Sequence, residues 1–403
     1  MKPFLKTLLG NAAAFLLGTA FVLGALEIGL RLMPVATAPD VQPPTADNPI
    51  QRYAANTPFT WSIGWNFAIV THGRTNAQGF VASSDYDAKA DTPLVAVIGD
   101  SYIEALAVPF ADTVTGKLQQ ALGPRGRAYA FAQSGSPLSQ YVAYARHACE
   151  TYRPQRLVFT VVGNDFDESV YAHRKRNGIF HLHPQADGSF RFELTPLPPP
   201  GLAERIARRS ALALYLFRNL SATGGLIEIL SPAKARASTA SPYVGNTAAD
   251  AAPERVAEGE KVIRWFLDQL AGSLCVKPED IVIAVDAMRP QIYEGPTTEA
   301  AGNSYFGRMR SHILKEAAAR HERPSISKLR VRADFAANDR RFGGDRQSLE
   351  RLRPCGGRQR HSENALGNFG HSRPDSPASI ARSIAKCGRR AVPRLAGTPW
   401  RQH

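Results

Sequence analysis

Three short segments carry residue types suited to acyl transfer. Val97-Ile98-Gly99-Asp100-Ser101 places a serine hydroxyl directly behind an apolar run. In a strand-to-helix turn such a serine can act as a nucleophile. Gly99 permits the tight turn, and a helix N-terminus behind it favours negative charge developing nearby. Ser134-Gly135-Ser136 offers at Gly135 a backbone N–H with no side chain in the way. Gly163-Asn164-Asp165 adds Asn164, whose amide can donate to an oxyanion. Each segment alone is an ordinary turn or helix cap. Their order, and a shared position behind apolar runs, make them a candidate site.

Those runs predict the elements that position the three segments. Leu94 to Ile98 is continuously apolar between Pro93 and Gly99, as expected of a strand buried on both faces of a parallel sheet. Ala128 to Ala132, Arg156 to Val162 and Ile281 to Val285 predict three more strands. Thr113 to Leu122 and residues 138–152 predict helices between them. Alternating strands and helices imply right-handed crossovers and a three-layer α/β domain. Its ligands belong at the carboxyl ends of the strands, where the three segments fall.

In order and spacing, Gly99-Asp100-Ser101, Gly135 and Gly163-Asn164-Asp165 match three of the four sequence blocks of the SGNH/GDSL hydrolase family, which residues 90–170 resemble. The resemblance implies a flavodoxin-like α/β/α sandwich with Ser101 as nucleophile. It implies an oxyanion hole of the Ser101 N–H, the Gly135 N–H and the Asn164 side chain, with Asp100 shaping the turn. It implies a serine esterase or O-acyltransferase, needing no cofactor, whose substrate is an ester, for an envelope-type member an acylated glycan.

The family's fourth block, which supplies a His and an Asp, is missing. A serine nucleophile needs such a base. Neither Asp-x-x-His nor the envelope-type Asp-x-His-Trp-Asn-x-x-Gly-His occurs; Asn368-Phe369-Gly370-His371 comes closest and reads as chance. After Phe342 apolar periodicity stops and Arg, Gly, Ser and Pro dominate. Read one nucleotide later, the codons permitted for Asp345 to Cys355 can spell Asp-Asn-His-Trp-Asn-Gly-Tyr-Gly-His. We therefore favour a shifted reading frame over a natural disordered basic tail. The chain as written is then expected to lack its catalytic Asp and His and its last helix.

The net charge of +14 does not point to nucleic acid. Residues 340–403 hold thirteen Arg and one Lys against Asp345, Glu350, Glu363 and Asp375, so most of the excess lies in the tail. Elsewhere no basic stripe alternates with aromatics, and no nucleic-acid partner is expected. At the other end, Lys2 and Lys6 precede an apolar stretch from Leu8 to Leu32 that is long enough to span a bilayer. The lysines favour a cytoplasmic N-terminus with the rest outside. An uncleaved anchor is favoured over a signal peptide cut near Ala36-Thr37-Ala38.

The expected organisation is an anchor (1–33), a linker and lead-in (34–90), a hydrolase-like domain (91–342) with an insertion (166–252), and the tail (343–403). The insertion predicts a hairpin around Asp187-Gly188 and an amphipathic helix from Leu202 to Leu220. It can be a cap over the site, a partner surface or a decorative surface excursion. Cys149 and Cys275 are compatible with a disulfide and equally with two separate buried thiols. His181 and His183 share a face of a hairpin strand, but with no Cys or paired carboxylates nearby a solvated face is expected rather than a metal site. Two functions compete: an envelope carbohydrate esterase or acyltransferase, and a non-catalytic anchored relative that keeps the sheet and pocket.

Overall fold

The computed structural model describes residues 2–45, 47–220, 243–244, 247–248, 251–286, 302–320 and 323–326. The tail, with Asp345–Cys355, His371, Cys355 and Cys387, lies outside the described residues. In chain order, α1 (Lys2–Arg31) leads to two small hairpins, β1–β2 (Val41–Gln42, Arg52–Tyr53) and β3–β4 (Pro58–Ile63, Ile69–Arg74). There follow β5 (Leu94–Gly99), α2 (Ser101–Glu104), α3 (Val114–Leu122), β6 (Arg127–Ala132), α4 (Leu138–Tyr152) and β7 (Arg156–Val161). The insertion contributes the hairpin β8–β9 (Phe180–Pro184, Phe190–Leu194), α5 (Leu202–Ala207) and α6 (Ala211–Leu214). A small hairpin β10–β11 (Tyr243–Val244, Thr247–Ala248), then α7 (Pro253–Ser273), β12 (Ile281–Val285), α8 (Tyr305–Ala319) and β13 (Arg323–Ile326) complete the described chain.

The central sheet is parallel throughout, in the order β13-β12-β7-β5-β6. Numbered by their order along the chain, its strands run 2-1-3-4-5, the doubly wound flavodoxin-like arrangement. The mixed α/β fold expected from the sequence is present. The strand order reverses between β5 and β7, so that is its switch point.

Alternation along each strand separates two cores. Leu94, Ala96 and Ile98 of β5 face one side with Tyr129, Phe131, Leu157, Phe159, Ile281 and Ile283. On that side pack α4, α7 and α8, through side chains such as Tyr141, Phe266 and Phe306. Val97 turns to the other side and joins Ile103, Ala130 and Ala132, with Leu118 of α3 covering them. The α7 stripe of Val262, Ile263, Phe266, Leu267 and Leu270 has helical spacing and is buried throughout. Thr113 and Ser304 cap α3 and α8, their hydroxyls accepting the Gly116 N–H at 3.0 Å and the Gly307 N–H at 3.1 Å.

Residues 34–90 carry β1 to β4 and contribute Ile50, Phe80, Ala82 and Tyr86 to the main core. Tyr86 stacks on Tyr129 with centroids 4.1 Å apart. Cys149, near the end of α4, is disulfide-bonded to Cys275, which settles the pairing the sequence leaves open. The helix expected over Leu202–Leu220 is broken. It stops after Ala207, and Ser210 caps a new start at Ala211 by accepting the Ala213 N–H at 3.1 Å. From Tyr215 to Leu220 the coil widens to a π-helix. His181 does not lie on a solvated face. It is buried, with Nδ1 2.9 Å from Thr195 Oγ1, and burial pushes its pKa down to about 4. Among the described residues no group of His, Cys, Asp and Glu could hold a metal ion.

Candidate functional site

Parallel pairing puts the carboxyl ends of β6, β5 and β7 side by side at one edge, about 5 Å apart. Ser101 opens α2 two residues after the end of β5, the middle of these three strands. Gly135 follows β6 in the turn before α4, and Asn164 follows β7. The serine expected to be the nucleophile thus sits on the strand between those that carry the two expected oxyanion donors.

The β5–α2 turn is tight by necessity. A Cβ on Gly99 would lie 2.5 Å from Ile103 Cγ1. Asp100 caps α2, its Oδ1 accepting the Tyr102 N–H at 2.9 Å. Its Oδ2 accepts the Ser101 hydroxyl at 3.2 Å. Since α2 is a single turn, Ser101 does not sit at the end of a full macrodipole, and Asp100 takes up the N–H groups of that turn, its side chain accepting that of Tyr102 and its carbonyl accepting those of Ile103 and Glu104. Gly135 has φ +74°, a conformation that favours glycine, and among the described residues no protein group accepts its N–H. A Cβ there would also meet Arg176 Nη1 at 2.3 Å. The Asn164 amide donates to Glu168 Oε2 at 3.1 Å, and Glu168 is ion-paired with Arg174.

Three buried carboxyl groups surround these turns, and the sequence patterns assign a role to only one of them, Asp100. Glu104 ties two turns together. Its Oε1 accepts the Tyr53 hydroxyl at 2.5 Å; its Oε2 accepts the Ser134 N–H at 2.9 Å and the Ser134 hydroxyl. Arg176 donates to the Ser134 carbonyl, closing the same bracket. Burial raises the Glu104 pKa. Asp165 accepts the Val162 N–H at 2.8 Å and the Tyr141 hydroxyl at 2.9 Å, both on Oδ2. Among the described residues its Oδ1 has no hydrogen-bond partner.

Asp100 and Asp165 lie close enough for the charge of Asp100 to penalise ionisation of Asp165. Burial first, and then the charge of Glu168, push Asp100 up to about 7. Burial and the charge of Asp100 hold Asp165 well above the usual carboxylate range. At neutral pH such a pair shares protons rather than carrying two full charges.

Sequence reasoning does not find Glu104, Asp165, Arg174 and Arg176 as site residues. Asp165 stands inside the Gly163-Asn164-Asp165 motif without a role. Glu104 leaves a local signal, an acid beside Ile103 in the otherwise apolar approach to Ala105. The arginines read only as a basic run, His173-Arg174-Lys175-Arg176. Among the described residues no histidine hydrogen-bonds the Ser101 hydroxyl. His173 instead pairs with Glu258, and buried His147 has its pKa pushed down to about 4 by desolvation. A groove of about 400 Å³ lined by Phe59, Thr71, Val108 and Phe110, among others, includes none of Ser101, Gly135 and Asn164.

The chain matches no family model and no curated protein. Solved structures with some likeness to it include AlinE4, described as an SGNH-hydrolase family esterase, at 11% identity and TM-score 0.26, covering 75% of this chain and 99% of that one. TesA has 11% identity and TM-score 0.28, covering 64% and 93%. The lipase Lip_vut3 from a goat rumen metagenome has 11% identity and TM-score 0.25, covering 58% and 80%. TM-scores of this size leave function to be read from the chain's own residues.

Proposed function

We propose that the sheet edge around Ser101 is an acyl-transfer site, and that the protein is a serine esterase or O-acyltransferase. The observation that carries this reading is the placement of Ser101 at the switch point of the sheet, with the Gly135 N–H and the Asn164 amide on the strands to either side. The Ser101 hydroxyl attacks the ester carbonyl. The hydroxyl proton passes to the base, and negative charge on the carbonyl oxygen is met by the N–H groups of Ser101 and Gly135 and by Asn164. Collapse breaks the ester C–O bond, releasing the alcohol with that proton and leaving an acyl-Ser101. Water or a sugar hydroxyl then accepts the acyl group. The substrate we assign is an acylated carbohydrate of the cell envelope.

The location follows from α1. Thr7–Arg31 is long and apolar enough to cross a membrane. Lys2 and Lys6 favour a cytoplasmic start, which puts the sheet on the outer, periplasmic side. The Cys149–Cys275 disulfide supports that side, since disulfides persist in oxidising compartments.

The base is the missing part. On this reading the Asp and His come from the block spelled in the shifted frame around Asp345–Cys355, and the chain as written lacks them. Hydrolysis of p-nitrophenyl acetate tests this on three proteins: the chain as written, the frame-restored chain, and the frame-restored chain carrying Ser101→Ala. The frame-restored protein should exceed its Ser101→Ala variant by about a thousandfold or more. The chain as written should fall near that variant. Equal rates for the frame-restored pair would overturn the enzyme reading and favour a non-catalytic anchored relative.

A further inference from the structure

We infer that α5 and α6, with the Trp65 tip of the β3–β4 hairpin, form a platform that rests on the anionic lipid surface beside α1. This rests on reading α1 as a membrane span, and it assigns the insertion a partner that the acyl-transfer reading does not supply.

The first support is depth. Thr7–Arg31 spans 25 residues, about 37 Å of helix against a hydrocarbon core of about 30 Å. The last turn or so, from Glu27 to Arg31, therefore reaches the headgroups. A groove of about 500 Å³ beside α1 is lined by Leu23, Gly24 and Glu27 and, from the insertion, by Ile206 and Leu212. Leu23 and Gly24 precede Arg31 by roughly two turns, about 10–12 Å along the axis. Residues facing them across that groove lie at the boundary between hydrocarbon and headgroups.

The second support is rigidity. The Glu27 carboxylate caps α6 from the membrane helix. It accepts the Ser210 hydroxyl at 2.8 Å and the N–H groups of Ala211 and Leu212 at 3.0 and 2.9 Å. The Arg31 guanidinium donates to the Arg209 carbonyl at 3.2 Å. At the far end of the platform the Tyr215 hydroxyl donates to the Trp65 carbonyl at 2.8 Å, and Asn219 O accepts the Gly64 N–H at 3.3 Å. The depth of α1 therefore fixes the depth of α5 and α6.

The third support is composition. Leu202, Ile206 and Phe217 are 66%, 61% and 66% exposed, and Trp65 is 72% exposed. Leu202, Arg205 and Ile206 have the i, i+3, i+4 spacing of one face of α5, and Arg209 follows in the turn before α6, so arginines stand beside the apolar residues. Apolar side chains with flanking arginines and a tryptophan characterise segments lying in the plane of an anionic interface. Arg208 is neutralised by Glu204 and Asp40, which leaves Arg205 and Arg209 exposed for lipid phosphates.

The test uses the full chain with Cys355→Ser and Cys387→Ser, in phosphatidylcholine vesicles with and without phosphatidylglycerol. Single nitroxides are attached through Leu16→Cys, Ile206→Cys, Phe217→Cys and Asp187→Cys. Collision with lipid-soluble oxygen is compared with collision with a water-soluble nickel chelate. Leu16, Ile206 and Phe217 should favour oxygen, and Asp187 on its hairpin turn should favour nickel. A lipid signal at Leu16 with water at both Ile206 and Phe217 would overturn the platform and leave the span. Water at Leu16 as well would overturn the span. Shielding of Ile206 from both reagents would mean a protein partner instead of lipid and would equally overturn the proposal. Arg205→Glu with Arg209→Glu should lower the oxygen preference at Ile206 in phosphatidylglycerol vesicles, each arginine contributing roughly fivefold to surface binding. No change would overturn the role given to the arginines.

Discussion

The sheet edge and the α1–α6 junction are both built around carboxylates at helix starts, and they treat those carboxylates in opposite ways. Glu27 is fully served: one hydroxyl, two backbone N–H groups and the Arg31 guanidinium all donate to it. Asp165 is starved. Both of its donors reach one oxygen, the other oxygen has none, and Asp100 presses a second buried acid against it. A satisfied carboxylate is structural glue. A buried acid left partly unsatisfied costs stability, and such costs concentrate where a charge environment is put to use. Glu104 stands between these cases, buried like Asp165 but with donors on both oxygens.

The largest effect should come from breaking that intermediate case. Glu104→Ala strands the Ser134 N–H, the Ser134 hydroxyl and the Tyr53 hydroxyl in the interior and frees the Gly135 turn. Removing one member of such a buried network costs about 3–5 kcal/mol. Urea unfolding monitored by circular dichroism should show stability fall by that amount, with Glu104→Gln costing less. A loss below about 1 kcal/mol, the worth of one ordinary hydrogen bond, would remove Glu104 from the positioning of the site.

A smaller effect is carried by the proton shared between Asp100 and Asp165. The folded pKa of Asp100, about 7, lies above its ordinary value of 3.8. Between those values the folded chain holds a proton that the unfolded chain has released, so stability falls as pH rises through this window. A tenfold change in proton affinity is equivalent to about 1.4 kcal/mol, so most of the window together costs on the order of 3 kcal/mol. Asp100→Asn removes the group that binds this proton, and with it one of the charges that raise Asp165, and should flatten the fall. Thermal unfolding at about pH 4.5 and about pH 7.5, near the two ends of the window, checks this. An unchanged difference between the two would show that Asp100 does not titrate in this window.

The sheet edge is far more legible in the sequence than the junction. The runs at Leu94, Ala128, Arg156 and Ile281 are strands because so few of their residues can face water, and near-continuous apolar sequence encodes that directly. The spacing over residues 138–152 predicts a helix, and Leu138–Tyr152 forms one. The three turns are visible because strands announce themselves just before them. What stabilises those turns is not visible: Ser134 meets Glu104 across 30 residues, and Cys149 meets Cys275 across 126. Periodicity reports the local face of an element and is silent about partners brought from another strand. The break in the Leu202–Leu220 helix has the same origin. Its apolar spacing runs straight through Arg208–Ser210, while the acceptor that stabilises a second helix start is Glu27, contributed by a helix 183 residues upstream.

That origin sets the smallest and most local effect. Glu27→Ala removes the acceptor for the Ala211 and Leu212 N–H groups but leaves Ser210 to cap Ala213. A lost cap costs about 1 kcal/mol. The loss should be confined to α6, because the sheet core makes none of its contacts through Glu27. Amide exchange of the full chain in vesicles should therefore speed up at Ala211 to Leu214 by about fivefold, a factor equivalent to about 1 kcal/mol. Exchange in β5, β6 and β7 should not change. Equal acceleration in the sheet would mean that the junction and the edge unfold as one unit, and the contrast between a glued joint and a strained site would be lost. Acceleration confined to α6 would establish that the Glu27 carboxylate of α1 holds the start of α6 independently of the residues around Ser101.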